Sequence, residues 1–398
     1  MVEASNELSE PNDRVKEQSL ELRSQADLVI QEFERMEEYN FAPPPDTPID
    51  ISIERLKSKN DLLNRLGSSL LPQLQHQCAR LSELLWEPSH MQNNPASTLK
   101  LISEIQARLH LILSQIIQTR DQIFPGKISE PYQTNDQHFD QFKIYRLHRL
   151  DASLRADMKI RLRILFQDSI KHIQNFKRST TDRSNIIELT YLKIDEKIDL
   201  AISFIKGSEL RLIWELWKDG INKLNYEVEA LVRQMDPINA LHQEGESLLS
   251  QPAIKLGRSI LPIFKLSRLC FKKLYRANVK MEEVELFTEM CSHQLVCLHA
   301  TTDNIVESIS NLSFSIQDAD RLEPGETTLA IFEELDKLIK SFQSYFSLIS
   351  LYVLPNMFPN PIDFSQQIYF QNWIVAWTTS FLLATHNAIQ AVQSFADT

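Results

Sequence analysis

The chain has 398 residues, 43% hydrophobic and 24% charged, with only 7 glycines, 17 prolines and a formal net charge of −11. Its closest glycines, Gly245 and Gly257, stand twelve positions apart. The glycine-rich phosphate loops of dinucleotide-binding and P-loop proteins are therefore excluded, and tight turns and β-hairpins are disfavoured.

Residues 1–13 are acidic and polar and read as a disordered tail. They lack the apolar core of a signal peptide and the Arg-rich character of a mitochondrial presequence. From Val15 to Met36, apolar residues recur at three- and four-residue steps, which predicts a helix to about residue 40. Pro43-Pro44-Pro45 and Pro48 stop it. A second helix carries Leu56, Leu63, Leu66, Leu70, Leu74, Cys78, Leu81 and Leu85, with a kink expected at Pro72. Residues 88–95 read as a loop, Leu99–Ile116 as a third helix, and Pro125–Asp136 as a polar loop.

The seam Leu150, Leu154, Met158, Leu162, Leu165, His172, Phe176 predicts one continuous helix from about Arg146. Helices over about 184–206 and 208–235 follow, with Ser208 as N-cap. Asp236-Pro237 should open a short helix to about 249. A helix from Pro252 to Ala277 comes next, then a long one from Phe287 to Ile316. Pro324-Gly325 separates that from Leu329–Leu354, and Pro355–Pro361 reads as a rigid loop. Asp363 with Gln366 resembles a capping box for the last helix.

No segment alternates with period two. The expectation is an all-α protein of elongated antiparallel bundles, nine to eleven helices and no sheet. The bundles are expected over 14–236 and 237–398. The longest apolar runs, Tyr345–Leu354 and Trp373–Ala384, fall short of the about 20 residues a membrane span requires. The cysteines Cys78, Cys270, Cys291 and Cys297 form no CxxC pair, which fits reduced thiols inside a cell, in cytoplasm or nucleus.

The charge is unevenly spread. Residues 1–50 carry −9 and 284–398 carry −10, whereas 141–183 carry +7 and 251–283 carry +6. On the helix after Pro252, with Lys265 at 0°, Arg268, Lys272 and Arg276 fall at about 300°, 340° and 20°. Ile263, Leu266, Cys270 and Leu274 fall on the opposite side, and Phe264 and Phe271 on a flank that could form a second packing surface. A cationic ridge of Lys265, Arg268, Lys272 and Arg276 is thus the candidate docking site for an acidic partner. The basic faces at 141–183 and 251–283 also admit a nucleic-acid reading, which overall acidity makes the less favoured one. Lys177-Arg178-Ser179-Thr180-Thr181 is a weak candidate phosphorylation site.

Cys291, His293, Cys297 and His299 invite a zinc reading, but on one helix they point in four directions and only His293 and Cys297 share a face. Glu87-x-x-His90 is a lone half of a di-iron motif. Asp318 and Asp320 read as solubilising charges. Catalytic and cofactor-binding residues are therefore expected to be none. Aromatics crowd 342–381, from Phe342 to Phe381, as a core or as a groove for a partner's helix. The long helices leave homodimerisation open.

The stretch from Gln251 to Tyr275, with the long helix after it, resembles uncharacterised helical fungal proteins distantly similar to the cyclin-D-binding protein family. The resemblance spans about 185–396. It implies a two-part all-helical fold and a non-enzymatic role in binding cell-cycle or transcription regulators, with no catalytic residue to carry over.

Overall fold

The computed structural model describes residues 11–39, 53–86, 88–126, 128, 131, 135–177, 186–236, 249–278, 287–358 and 364–397. The protein is all-α, with no strand among the described residues. It divides into two compact units, Met1–Glu130 with Arg146–Lys206, and Pro131–Tyr145 with Gly207–Thr398. The division falls at Lys206 rather than near 236, and residues 131–145 join the second unit instead of the bundle expected around them.

In the first unit the helices are α1 (Pro11–Glu37), α2 (Ile53–Lys57), α3 (Asn60–Arg65), α4 (Leu71–Trp86), α5 (Pro88–Asn93), α6 (Pro95–Ile123), α7 (Ile144–Ala152, whose first two residues belong to the second unit), α8 (Lys159–Lys177) and α9 (Ile186–Lys206). Five long rods close a ring: α1 packs on α6, α6 on α4, α4 on α9, α9 on α8, and α8 on α1. Phe33, Leu74, Leu109, Leu165 and Ile198 are buried inside it. Each such side chain contributes about 1.5–3 kcal/mol when removed from water. The Phe33 and Phe166 rings stack with centroids 5.7 Å apart. Arg146, also buried, donates from Nε to the Phe204 carbonyl at 3.1 Å, satisfying an end carbonyl of α9.

The second unit holds α10 (Glu209–Gln234), α11 (Gln251–Asn278), α12 (Ser292–Gln317), α13 (Pro324–Leu348), α14 (Leu354–Met357) and α15 (Phe364–Ala396). These too form a ring: α10 on α11, α11 on α15, α15 on α13, α13 on α12, and α12 on α10. Ser208 is the N-cap of α10, accepting from Arg211 N at 3.1 Å, as its sequence position predicts.

Residues 135–145 are fixed to this ring by buried charge. Lys143 Nζ donates to Glu209 Oε2 at 2.9 Å and to the Thr288 carbonyl at 2.7 Å, with neither Lys143 nor Glu209 exposed. The same Glu209 oxygen accepts from Thr288 N at 2.8 Å and Thr288 Oγ1 at 2.6 Å. Asp136 accepts from the first N–H of α7 (Ile144, 2.8 Å) and the first N–H of α12 (Ser292, 2.7 Å), so one carboxylate caps two helices. Ser292 Oγ donates to Asp136 and accepts from Tyr145 N at 2.7 Å. The bonds from Lys143, Asp136 and Tyr145 to Glu209, Thr288 and Ser292 tie this strap to residues 66 to 156 positions away, which is why residues 131–145 leave the bundle that surrounds them in sequence.

Two prolines, one expected to kink a helix and one to open a loop, are both carried within helical rods. Pro72 cannot donate to the Ser68 carbonyl, and the backbone widens just before it into a π turn, Leu66–Leu70, closed by Leu71 N on Leu66 O. The rod then continues as α4. Pro355 follows the same device, with the π turn Ile349–Val353 joining α13 to α14, so the expected loop starts later than Pro355. Residues 88–93 are a helix, not a loop, and α1 starts at Pro11, inside the expected tail. The continuous helix expected from Arg146 is interrupted by a π turn at Ser153–Met158. The long helix begins at Ser292, and Phe287–Cys291 are not helical. The short helix expected after Asp236, the Asp363 cap and residues 1–10 lie outside the described residues.

Candidate docking surface

α11 starts at a fixed point. Ser250 Oγ accepts from Ala253 N at 3.3 Å, and Asp320 accepts from Ser250 N at 2.6 Å and from its hydroxyl. Asp320 is therefore an anchor for the α11 N-cap and not simply a solubilising charge. Over its 28 residues α11 carries seven lysines and arginines and no acid. Pro262 interrupts one backbone bond on its exposed side, where water can serve the Arg258 carbonyl.

Its inner side is core. Ile260, Ile263, Phe264, Cys270, Phe271 and Leu274 are all 0% exposed, so the Phe264–Phe271 flank is a packing surface, as expected. Gly220 on α10 makes room for Phe271: a Cβ there would lie 3.1 Å from the ring. The opposite flank meets α15. Trp377 Nε1 donates to the Leu266 carbonyl at 2.9 Å. Lys273 Nζ donates to Tyr369 Oη at 3.2 Å and sits 4.7 Å from that ring's centroid, a cation–π contact. From Lys273 to Leu266 the α11 numbering falls while its α15 partners rise from 369 to 377, so the two helices are antiparallel.

The outer side carries the ridge. Lys265 and Arg276 are exposed and Arg268 and Lys272 half-buried, along about 16 Å of helix. Arg268 Nη1 reaches only Asn225 Oδ1, at 3.4 Å. Among the described residues none of the seven cations of α11 meets a carboxylate. Neighbouring rods behave differently: Lys337 pairs with Glu334 at 2.7 Å, Lys340 with Asp336 at 2.6 Å and Lys223 with Asp219 at 2.7 Å. The structure thus gathers the four predicted residues on one side of one helix, with no carboxylate paired to them among the described residues.

Six of the nine cations of 141–177 have partners within the chain instead. Lys143 is buried on Glu209 and Arg146 on the end of α9. Arg155 pairs with Asp151 at 2.7 Å, Arg163 with Glu37 at 3.6 Å and Lys171 with Asp168 at 3.4 Å, while Lys177 pairs with Asp27. Residues 178–185, with the candidate phosphorylation string, lie outside the described residues.

The aromatic cluster is mainly core. Trp377 meets Phe342, Phe346 and Phe381 at centroid distances of 4.7, 5.1 and 4.9 Å. The groove alternative for these aromatics has a further signal on α15 that sequence reasoning did not use: from Phe364 to Ala396 it has no Asp, Glu, Lys or Arg. Its outer side nevertheless shows Tyr369 60%, Val375 65% and Leu383 61% exposed.

The Cys–His cluster separates as its helical angles require. Cys297 Sγ lies 3.5 Å from His293 Nε2, whereas His299 faces Tyr145 Oη at 3.2 Å and Asp303 at 3.3 Å. Cys291 is the N-cap of α12. Glu87 lies outside the described residues and His90 is exposed. Among the described residues no three His, Cys, Asp or Glu side chains gather as they would around a metal ion. No helix of the described residues is long and apolar enough to cross a membrane.

Two family models match the chain, and both are domains of unknown function. DUF8721 matches residues 208–390, and DUF8723 matches residues 59–206. Their meeting point is the place where the two units divide, at Lys206 and Gly207. The ridge and α15 through residue 390 therefore lie within the DUF8721 match. No curated protein sequence matches the chain.

Proposed function

We propose that this protein is a non-enzymatic intracellular adaptor or regulator whose second unit docks an acidic protein partner along Lys265, Arg268, Lys272 and Arg276. The observation that carries the reading is an acid-free helix of seven cations, none neutralised among the described residues, on a chain of net charge −11. A positive patch kept free on an acidic protein steers and orients a negative partner. The exposed apolar groups beside it suit a protein better than a phosphate backbone. The nucleic-acid reading draws on a second basic face, and most cations of 141–177 are spent on internal partners.

An enzyme would gather shifted titratable groups in a polar cavity. Here Cys78 and His172 in the first unit, and the neighbouring Cys270 and Tyr345 in the second, are shifted chiefly by burial between helices. The cyclin-D-binding resemblance makes cell-cycle or transcription regulators the partner class to look among, and the buried, unbridged Cys78 and Cys270 suit a reducing compartment. A photo-crosslinking residue placed at Lys265 or Lys272 in cells should give a discrete protein adduct, and one at the exposed Lys340 should not. Adducts to nucleic acid alone at 265 and 272 would overturn the reading.

A further inference from the structure

We propose that the ridge and the outer side of α15 form one composite seat, and that its occupant is an acidic amphipathic helix of a partner protein. The inference rests on the docking role of the ridge and adds the partner's secondary structure and a second wall for the site. Two packed antiparallel helices leave a groove along their outer seam, and a third helix fills such a groove in ordinary helix packing. The Lys273–Tyr369 contact marks this seam at one end. From it, the α11 wall runs through Leu269 to Lys265, and the α15 wall through Ala376 to Leu383.

The two walls differ in chemistry. Leu269 is 48% exposed, Tyr369 60% and Leu383 61%, an apolar floor that water covers poorly. Lys265 and Lys272 stand on the α11 side, paired with no carboxylate among the described residues, while α15 carries no Asp, Glu, Lys or Arg over its 33 residues. Tyr369, Ala376 and Leu383 recur at seven-residue steps, two helical turns, which is the spacing at which a second helix lying alongside is met repeatedly. Charge complementarity selects the occupant: an apolar stripe toward Tyr369, Ala376 and Leu383, and carboxylates one flank round, over Lys265 and Lys272. A second copy of this chain is a poorer fit, because α11 would then face another uncompensated row of cations.

The test uses the full chain and a fluorescein-labelled peptide of about three heptads. It carries leucines at two positions per heptad and glutamates flanking them. Controls are a scrambled peptide of equal composition, phosphatidylserine vesicles and duplex DNA. The account expects saturable binding of the amphipathic peptide, at least tenfold weaker binding of the scrambled one, and tenfold loss in two variants. One reverses the ridge (Lys265, Arg268, Lys272 and Arg276 to Glu). The other is Leu269→Gln with Leu383→Gln, both at exposed positions and checked by unchanged melting. Equal binding of the two peptides with an unaffected Leu269→Gln/Leu383→Gln variant would overturn the helix seat and leave the ridge reading standing. Undiminished peptide binding by the ridge variant would overturn both. No peptide binding, or binding of vesicles or DNA alone, would overturn the seat, and the crosslinks at Lys265 and Lys272 would then decide the ridge separately.

Discussion

The Lys143–Glu209 pair makes a sharp test of why residues 131–145 belong to the second unit. In Lys143→Met the Glu209 carboxylate keeps the two Thr288 donors and loses its one countercharge among the described residues, at a site with 0% exposure on both sides. Leaving one member of a buried pair behind costs about 3–5 kcal/mol. At about 2–4 °C per kcal/mol for a unit of this size, the melting temperature of the second unit should fall by about 6–20 °C. Adding Glu209→Gln removes the stranded charge while its amide oxygen still accepts from Thr288. The double variant should therefore recover most of the loss and lie within about 2 kcal/mol of the natural protein. Urea unfolding of the two variants, followed by far-UV circular dichroism, gives the comparison. If Lys143→Met costs less than about 1 kcal/mol, or the double variant is as unstable as the single one, the strap is not held by buried charge.

Three further outcomes follow from the packing. Gly220→Ala sets a methyl 3.1 Å from the buried Phe271 ring, whereas a Cβ at Gly325 meets nothing within 4 Å. Urea midpoints should show Gly220→Ala neutral to about 2 kcal/mol destabilising and Gly325→Ala stabilising by about 0.4–1 kcal/mol, and the reverse order would contradict the packing. Burial holds the His172 imidazole below its ordinary 6.5, so the unfolded chain binds the extra proton first. Stability from this group is complete above pH 6.5 and falls as pH drops below it; His172→Gln should lose less melting temperature than the natural protein between pH 7.5 and 5.5, and an equal loss would refute the assignment. Burial pushes the Cys78 thiol up to about 12 and Cys270 well above its usual range. Iodoacetamide at pH 8 should therefore modify both only when the chain unfolds, with Cys291 and Cys297 labelled first; labelling of Cys78 or Cys270 in the folded protein at the unfolded rate would oppose that burial.

Much of the helical content was legible because apolar seams and caps are local signals. Leu99 to Ile116, Ser208 and the two sides of α11 stand where spacing placed them. The misread positions share a physical origin. Pro72 and Pro355 remove one N–H each, and whether a rod ends or widens into a π turn depends on packing that a single sequence does not display. Asp136 caps α12 from 156 positions away, and Asp320 holds Ser250 from 70 away, separations at which no periodicity survives. The ridge was readable because alternation of charge and core around one helix fixes its outer side. The α15 wall was legible only as the groove alternative for the 342–381 aromatics, because an absence of charge looks the same in sequence as burial.

The docking claim itself is tested most directly by a nuclease-treated pull-down of the tagged full chain from its native cell, read by quantitative mass spectrometry. The natural protein is compared with the variant in which Lys265, Arg268, Lys272 and Arg276 are all Glu. The account predicts a near-stoichiometric protein partner with the natural chain that is lost from the variant. Capture of the same partner at equal yield by the variant, or recovery of nothing beyond nuclease-sensitive material, would contradict it.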